Sequence, residues 1–280
     1  MSFIDYQRDS DVLVMTRGHP FEREAFFSAL DSLPELAYSA VEYPASQVFF
    51  EPRMAQAYRS FVFYDMPGMD FFSPDPEDGL APSYVLPTEA FRRNFLGLVE
   101  KGHGFVFLHH ALASWPAWPE YAQLVGGQFL YKPGKICGKS FPDSGYRHEV
   151  THTLSVETEH PVTAGLPKKF TMVDELYLAH VFADDIIPLL SSDYDFVEGN
   201  FYSAQQAVQG RLQSRQHWHH SPSSNLVAWA RRQGGSPIVY LQCGDGPGAY
   251  ADANFRQLLG NAIHWVSSDE ARAWARGEHG

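Results

Sequence analysis

Cysteine is scarce in this sequence. Only Cys137 and Cys243 occur among its 280 residues. Two thiols cannot supply the ligands of a structural cysteine–zinc site, and they are too few for a disulfide framework. The simplest expectation is therefore a reducing, cytoplasmic setting for the protein.

Positive charge is also in short supply. The chain has 21 lysine and arginine residues against 33 aspartate and glutamate residues, which gives a net charge of −12. A surface that binds DNA or RNA would have to work against this overall field. Nucleic acid is therefore not expected as a partner.

Long apolar runs are missing. The longest, such as Phe105–Leu108, fall far short of the roughly 20 residues that a helix needs to span a bilayer. The opening segment MSFIDYQRDSDVLVMT lacks a basic stretch followed by an apolar one, so no secretory leader is predicted. We expect no membrane partner.

Apolar residues are nevertheless abundant, at 44% of the chain, and 15% of the residues are aromatic. This composition is typical of a globular protein and argues against disorder. Short apolar runs alternate with amphipathic stretches, which predicts a mostly parallel sheet covered by helices on both faces, a three-layer α/β fold. No repeat or linker divides the sequence, so we expect a single domain over residues 1–280.

The predicted elements alternate along the chain. Strands are expected at Val12–Thr16, Ala37–Tyr43, Ser60–Met66, Phe105–His109, Asn225–Arg232 and Pro237–Gln242. Helices are expected near Phe21–Leu33, Glu51–Tyr58, Thr88–Lys101, Ala117–Val125 and Ala253–Ala275. Residues 130–194 indicate strands and loops, and two segments, 67–87 and 194–224, are predicted to be irregular insertions. The acidic residues near position 75 are expected to be solvated.

Polar side chains follow several of the predicted strands. His19 follows the first, Asp65 the third, His109 and His110 the fourth, and Asp245 the last. Ligands of open parallel sheets bind beyond the carboxyl ends of the strands. We therefore expect at least one of the two adjacent histidines to line a pocket with His19 and Asp245.

The segment GHGFVFLHHALASW places the two histidines where a buried strand turns toward a helix, which is the shape of a nucleophile elbow. Backbone amides at such a turn favour an anion or oxyanion. Histidine stands where a hydrolase needs serine or cysteine. The alternative is structural, with one histidine packed in the core and the other donating to a loop carbonyl.

Further candidates lie in DSGYRHEVTHTLSV and VDELY. In a regular strand His148 and His152 share a face but stand ~13 Å apart, at about 3.3 Å per residue, so one metal cannot bind both directly. We expect Arg147 or His148 to reach the pocket while His152 packs inside; surface positions on an edge strand are the alternative. Of the adjacent Asp174 and Glu175, one is expected to point inward as acid, base or metal ligand, and we favour Glu175.

Aromatic side chains could line the same pocket. Trp115, Trp118 and Tyr250 are able to stack on sugar rings, although ordinary core packing explains Trp118 better. RQHWHHSP, residues 215–222, carries three histidines but no matched second pair, so it is weak as a zinc motif. An aromatic wall near the pocket is the more modest interpretation.

Four motifs together resemble the ThuA-like (trehalose-utilisation) branch of the class I glutamine-amidotransferase-like fold. They are TRGHPFEREAF, GHGFVFLHHALASWPAWPEYAQLVGGQF, HPVTAGLPKKFTMVDELY and PIVYLQCGDGPGAYADANFRQLLGNAIHWV. Their order and spacing extend the resemblance over most of the chain, apart from about 67–87 and 194–224. The resemblance implies an amidotransferase-like, flavodoxin-like three-layer fold and a role in the metabolism of trehalose or related sugars.

This sequence departs from the wider pattern at two positions. Its elbow lacks the cysteine that glutamine hydrolysis requires, as is usual in the ThuA-like family, so we expect no glutaminase activity. Family members often carry histidine after the glycine of the last strand turn, where this chain has Asp245. A role that the family gives to that histidine cannot be transferred here.

The leading hypothesis is an enzyme that acts on a small carbohydrate by acid–base chemistry. His109 or His110 would act with Glu175, while His19, Asp65, Trp115, His148, Asp245 and Tyr250 would bind or orient the substrate. A divalent metal, zinc or manganese, is an optional cofactor with His109, His110 and Glu175 as candidate ligands. One alternative is a sugar-binding or regulatory protein without catalysis, and a second is a hydrolase or amidase with Cys243 as nucleophile. Homo-oligomerisation is left open.

Overall fold

A computed structural model describes residues 10–278 of the chain. The first nine residues lie outside this range. The expectation that the opening segment is not a secretory leader falls partly on them. No helix within it is long and apolar enough to cross a membrane.

The described residues form sixteen strands and eight α-helices. The strands are β1 (Val12–Arg17), β2 (Tyr38–Glu42), β3 (Ser60–Asp65), β4 (Met69–Asp70), β5 (Ser83–Tyr84), β6 (Gly104–Leu108), β7 (Gly127–Gln128), β8 (Gly134–Ile136), β9 (Lys139–Phe141), β10 (Gly145–Val156), β11 (Lys169–Leu178), β12 (His180–Val181), β13 (Ile187–Ser192), β14 (Tyr202–Ser203), β15 (Leu226–Gln233) and β16 (Ser236–Leu241). The helices are α1 (Arg23–Asp31), α2 (Pro52–Ala55), α3 (Glu89–Lys101), α4 (Pro119–Val125), α5 (Ala204–Val208), α6 (Pro247–Ala251), α7 (Ala253–Ser267) and α8 (Asp269–Arg276).

One large mixed sheet organises these elements. Its strand order is β11-β10-β13-β15-β16-β6-β3-β1-β2, and the short β14 pairs with β10. The five strands from β16 to β2 run parallel to one another, whereas the four from β11 to β15 are joined to each other, and β15 to β16, by antiparallel pairings. The carboxyl ends of the parallel strands therefore meet at one edge, as expected for this class of fold.

Apolar side chains cover both faces of the sheet. Alternation along β1 sends Val12 and Val14 to one core and Leu13 and Met15 to the other. Buried residues of α1 and α7 belong to the first core, and those of α3 and most of those of α4 belong to the second. The three-layer α/β architecture predicted from the sequence is confirmed.

Helix α3 begins and ends as its sequence predicts. The hydroxyl of Thr88 accepts a hydrogen bond from the backbone N–H of Phe91, and Gly102 ends the helix in the left-handed conformation. Both features are the usual caps of an α-helix. The predicted helix Ala253–Ala275, by contrast, is wrong in its continuity. Ser268 interrupts it with an extended backbone, and the Ser268 side chain then caps α8.

The two predicted insertions contain some regular structure. Strands β4 and β5 pair within 67–87, and β14 and α5 lie within 194–224. The acidic residues near position 75 are not simply solvated, because the buried Lys132 lies 2.9 Å from a carboxylate oxygen of both Asp75 and Asp78. This ion cluster fastens the first insertion to the body of the protein.

Candidate active site

His109 lies at the centre of the site, directly after β6. It begins a 3₁₀ turn, His109–Ala113, with a φ of 45°. A left-handed conformation is uncommon for residues other than glycine, and such strain is concentrated at functional sites. The side chain is fully buried, so its neighbours decide what it can do.

The two ring nitrogens of His109 meet different partners. Nδ1 lies 2.6 Å from the carbonyl oxygen of Gln242. Since a carbonyl only accepts hydrogen bonds, Nδ1 carries the proton there. Nε2 lies 3.0 Å from Oε2 of Glu175, 2.7 Å from the hydroxyl of Tyr177 and 3.3 Å from Oδ1 of Asp245.

The two carboxylates favour a positive charge between themselves and His109, and the Tyr177 hydroxyl is the one neighbour that can donate to Nε2 of a neutral ring. With Nδ1 protonated, a neutral ring would direct the lone pair of Nε2 at two anionic groups. Burial alone lowers the pKa of His109, but the contacts with Asp245 and Glu175 outweigh burial and hold it well above its usual value. A bound cation would satisfy the same geometry, because ligand atoms of His109, Glu175 and Asp245 lie within 4.8 Å of one another. One imidazole with two carboxylates suits zinc or manganese.

Alternation along β11 separates the adjacent carboxylates. Glu175 shares a face with Tyr177 and points at His109, whereas Asp174 points to the opposite side. Oδ2 of Asp174 accepts from the backbone N–H of Gly244 at 2.7 Å, and its Oδ1 accepts from that of Asp245 at 3.1 Å. Burial raises the pKa of Asp174 to about 6. Asp174 therefore holds the turn that carries Asp245. Both Asp174 and Glu175 lie within β11.

A β-bulge in β10 brings His148 to Glu175. Arg147 pairs with Leu176 and Val150 with Asp174, so one extra residue is accommodated between them. Tyr146 consequently packs in one core and Val150 in the other. The expectation that His148 and His152 share a face is wrong for this reason.

The two histidines of β10 have separate environments. Nδ1 of His148 lies 3.2 Å from Oε1 of Glu175, and the side chain is half exposed. His152 is buried and its Nδ1 lies 2.9 Å from the hydroxyl of Ser192. Burial lowers the pKa of His152 to about 4. His148 thus reaches the site and His152 packs inside.

His19 completes the ring of polar groups from the end of β1. Its Nδ1 lies 2.8 Å from the carbonyl oxygen of Pro20, so Nε2 keeps a free lone pair. Burial, followed by the proximity of His109, lowers the pKa of His19. The ring stacks on His110 at 4.5 Å between centroids. His19 is therefore a neutral imidazole in position to accept a proton.

A cavity of about 150 Å³ opens beside these groups. Its polar wall includes His19, His148, Glu175 and Tyr177. Its aromatic wall is formed by Phe129, Tyr131, Tyr146 and Tyr177. Few convergent polar groups on an aromatic background are typical of a small-molecule site.

His110 is not part of this cluster. Its Nε2 lies 3.2 Å from the carbonyl oxygen of Tyr64, and its Nδ1 has no partner within the described residues. Burial, reinforced by the neighbouring His19 and His109, lowers its pKa well below the usual range. The two adjacent histidines diverge at the elbow, with rings at 86° to each other. His110 supports His19 and does not face the carboxylates.

Four predicted binding residues do not line the cavity. Asp245 lies beside it in contact with His109, and the other three lie farther away. Trp115 is buried against Phe91 and Tyr43. The hydroxyl of Tyr250 donates to the carbonyl oxygen of Asp245, so this residue supports the turn from behind. Asp65 is buried, its Oδ1 has no partner within residues 10–278, and burial raises its pKa to about 7.

Two other expected features do not form a site. The histidines of residues 215–222 do not converge: His219 is exposed beside Glu198, while Trp218 is buried and donates to the carbonyl oxygen of Asp143. Cys243 is buried, and burial raises the pKa of its thiol well above the usual value. A reactive thiol needs the opposite properties, exposure and a lowered pKa.

Sequence reasoning also misjudged the charge at the elbow and overlooked Tyr177. An anion was expected at this turn, but Glu175 and Asp245 face it and favour a cation. Tyr177 follows Glu175 by two residues in a strand, and this spacing could have revealed the shared face. The acceptor of His109 Nδ1 is a backbone carbonyl, for which no side-chain pattern exists.

The comparisons with known proteins agree with this architecture. A family model described as "ThuA: Trehalose utilisation" matches residues 49–266. A putative ThuA-like protein from Parabacteroides merdae is similar in structure, with a TM-score of 0.61, 17% identity, and coverage of 93% of this chain and 91% of that one. Another from Bacteroides uniformis has a TM-score of 0.58, 17% identity, and coverage of 95% and 94%. Among curated proteins, none matches this sequence. At these identities the structural likeness establishes the fold.

Proposed function

Since the chain belongs to the ThuA (trehalose utilisation) family, we propose that it is an enzyme of sugar metabolism that performs metal-assisted acid–base chemistry on a small carbohydrate. His109, Glu175 and Asp245 would hold the divalent ion. His19 and His148 would line the substrate cavity beside it.

The orientation of the His109 ring carries this proposal. Its Nδ1–H is committed to the Gln242 carbonyl, which is the outer contact that metal-binding imidazoles usually make. Nε2 then points to the two carboxylates with the geometry of a ligand set. A purely structural histidine would not need two buried or half-buried carboxylates at one nitrogen.

Each remaining polar group has a role that its environment supports. Bound at this position, a divalent ion would act as a Lewis acid that polarises a hydroxyl or carbonyl oxygen of the sugar. His19, with a free Nε2 and a lowered pKa, is suited to take a proton near neutral pH. His148 holds Oε1 of Glu175 and keeps that carboxylate in place.

The cavity supports a single sugar ring as the group that is bound. Its volume of about 150 Å³ is well below the roughly 300–1,000 Å³ of pockets that enclose drug-sized ligands. Phe129, Tyr131 and Tyr177 offer aromatic surface, and the histidines offer hydrogen bonds to hydroxyl groups.

Metal content and melting temperature test the proposal. The purified protein is stripped with a chelator, then titrated with zinc or manganese. The wild type should bind one equivalent and melt at a higher temperature, because a ligand that binds only the native state stabilises it. His109→Ala, Glu175→Gln and Asp245→Asn should each lose both effects. Glu149→Gln, which changes an exposed carboxylate outside the ligand set, should keep them.

The other outcomes are equally informative. If the wild type binds no metal and its melting temperature is unchanged, His109 is instead a buried imidazolium paired with two carboxylates. If metal and sugar bind but a panel of sugars and 3-keto-sugars is not turned over, the protein is a sugar-binding or regulatory member of the family.

A further inference from the structure

We propose that the carbohydrate recognised by this protein carries an anionic substituent, a phosphate or a carboxylate, which Arg147 binds in a second cavity next to the first. The inference rests on the proposed function for the placement of the sugar ring. The anion site itself is defined by separate residues.

The second cavity adjoins the first at His148. It has a volume of about 410 Å³ and is lined by Arg147, His148, Glu149, Tyr202 and Gln213, among others. His148 belongs to the lining of both cavities. The two cavities thus share His148 as a common wall, and the proposed ligand would reach from the smaller cavity past this side chain into the larger one.

Arg147 has spare hydrogen-bonding capacity in this cavity. Its guanidinium stacks on the ring of Tyr202, with the central carbon 4.8 Å from the ring centroid, and one nitrogen donates to the Tyr202 hydroxyl. Within residues 10–278, no carboxylate lies within ion-pair distance of it. A guanidinium has five N–H donors in a planar fork that matches phosphate and carboxylate oxygens.

A second guanidinium stacks on the same tyrosine, next to this cavity. The central carbon of Arg215 also lies 4.8 Å from the Tyr202 ring centroid, and its side chain donates to the carbonyl oxygen of Gly199. Arg215 likewise has no carboxylate partner within the described part of the chain. Two arginines without a carboxylate partner among these residues therefore share one tyrosine in a protein with a net charge of −12.

The charges of the two cavities differ, and the difference orients the ligand. At the first cavity, the cation proposed at His109 is already matched by two carboxylates, Glu175 in the cavity wall and Asp245 beside it. The second cavity has Arg147 on its wall, with Glu149 as an exposed carboxylate on the same rim. An anionic sugar would thus place its neutral ring in the first cavity, beside Glu175, and its charged group at Arg147.

Isothermal titration calorimetry at low ionic strength tests this inference. The ligands are glucose, glucose 6-phosphate, glucuronic acid and inorganic phosphate. The wild type should bind at least one of the two anionic sugars about tenfold more tightly than glucose, as expected for a charge-assisted contact. Arg147→Met should abolish this difference and leave glucose binding unchanged.

Two further variants act as controls. Arg147→Lys keeps the charge and should retain part of the preference, which separates loss of recognition from loss of folding. Arg232→Met removes an arginine that also stacks on an aromatic ring, Trp274, elsewhere on the surface, and it should keep the full preference.

The outcomes separate the two proposals. Binding of phosphate that depends on Arg147, without metal or glucose binding, would retain the anion site and overturn the proposed function. Equal affinity for glucose and both anionic sugars, or a preference that survives Arg147→Met, would overturn the anion site and leave the proposed function standing. The relative affinities of glucose 6-phosphate and glucuronic acid identify the anionic group.

Discussion

The two halves of the sheet contribute to the site in different ways. The parallel half delivers His19, His109 and Asp245 from the ends of regular strands. The antiparallel half delivers Glu175 from the middle of β11 and His148 from a bulge in β10. Strand ends position the first group, whereas a local irregularity positions part of the second.

This difference shows what each half requires to keep the site intact. Residues at parallel strand ends stay together as long as the sheet and its covering helices are packed correctly. His148 depends in addition on one extra residue in β10, because a single-residue change of register turns side chains to the opposite face. We therefore expect the antiparallel half to be the more sensitive to changes in chain length.

Deletion of Glu149 should have the largest effect. It removes the extra residue of the bulge. Tyr146 and His148 could then stay on their present face of the sheet only if Val150 and the residues after it in β10 turned to the opposite face. We expect loss of metal binding and a decrease of about 3 kcal/mol or more in the free energy of unfolding. Urea denaturation and metal titration measure the two effects.

The matched variant Glu149→Gly keeps the chain length. Glu149 has a φ of 54°, a conformation that glycine adopts without strain, so stability should stay the same or rise by about 0.5–1 kcal/mol. If the deletion and this substitution behave alike, the bulge is not what positions His148.

Gly104→Ala tests the packing of the parallel half and should rank second. A Cβ at this position, at the start of β6, would collide with the carbonyl oxygen of Val266 in α7. Because the obstacle is backbone, we expect a loss of about 2–3 kcal/mol in unfolding free energy. The control is Gly97→Ala in the interior of α3, where nothing lies within 4 Å of the added atom. That change should stabilise the protein by about 0.5–1 kcal/mol. Equal effects of the two substitutions would contradict this account.

Asp65→Asn should have the smallest effect, and its sign depends on pH. Burial raises the pKa of Asp65 from 3.8 to about 7, so the folded state binds a proton that the unfolded state releases between these values. Stability due to this group is fully present below pH 4 and decreases as the pH rises to 7. Asp65→Asn should therefore be nearly neutral at pH 4 and stabilising by about 1–3 kcal/mol at pH 8.

Denaturant unfolding at the two pH values measures this prediction, with the exposed Glu77→Gln as control. A stabilisation by Asp65→Asn that is the same at both pH values would show that the carboxyl group is not buried in its neutral form. Such a result would mean that Asp65 is charged in the folded protein, although the end of β3 where it lies is packed against apolar side chains.

The sequence allowed the fold and half of the site to be predicted. Apolar alternation identified the parallel strands, and the rule that ligands meet their carboxyl ends identified His19, His109 and Asp245 as neighbours. The break at Ser268 was missed although a serine followed by the acidic residues Asp269 and Glu270 is a signal for a helix start. The bulge at Glu149 was not predictable, because it depends on tertiary packing that leaves no periodic pattern. The prediction that Asp65 binds substrate failed because this residue ends a strand but faces the core under α3 and α4, and not the cavity.

The conformation of the elbow has a consequence for how chemistry changes within one fold. A cysteine introduced at position 109 would inherit the strained turn but also the two carboxylates that face it. Neighbouring negative charge raises the pKa of a thiol, so a nucleophilic thiolate would not form near neutral pH. Conversion to glutamine hydrolysis would require the elbow residue, Glu175 and Asp245 to change together. The barrier between glutamine hydrolysis and the activity proposed for this protein thus lies in the sign of the charge around a shared turn.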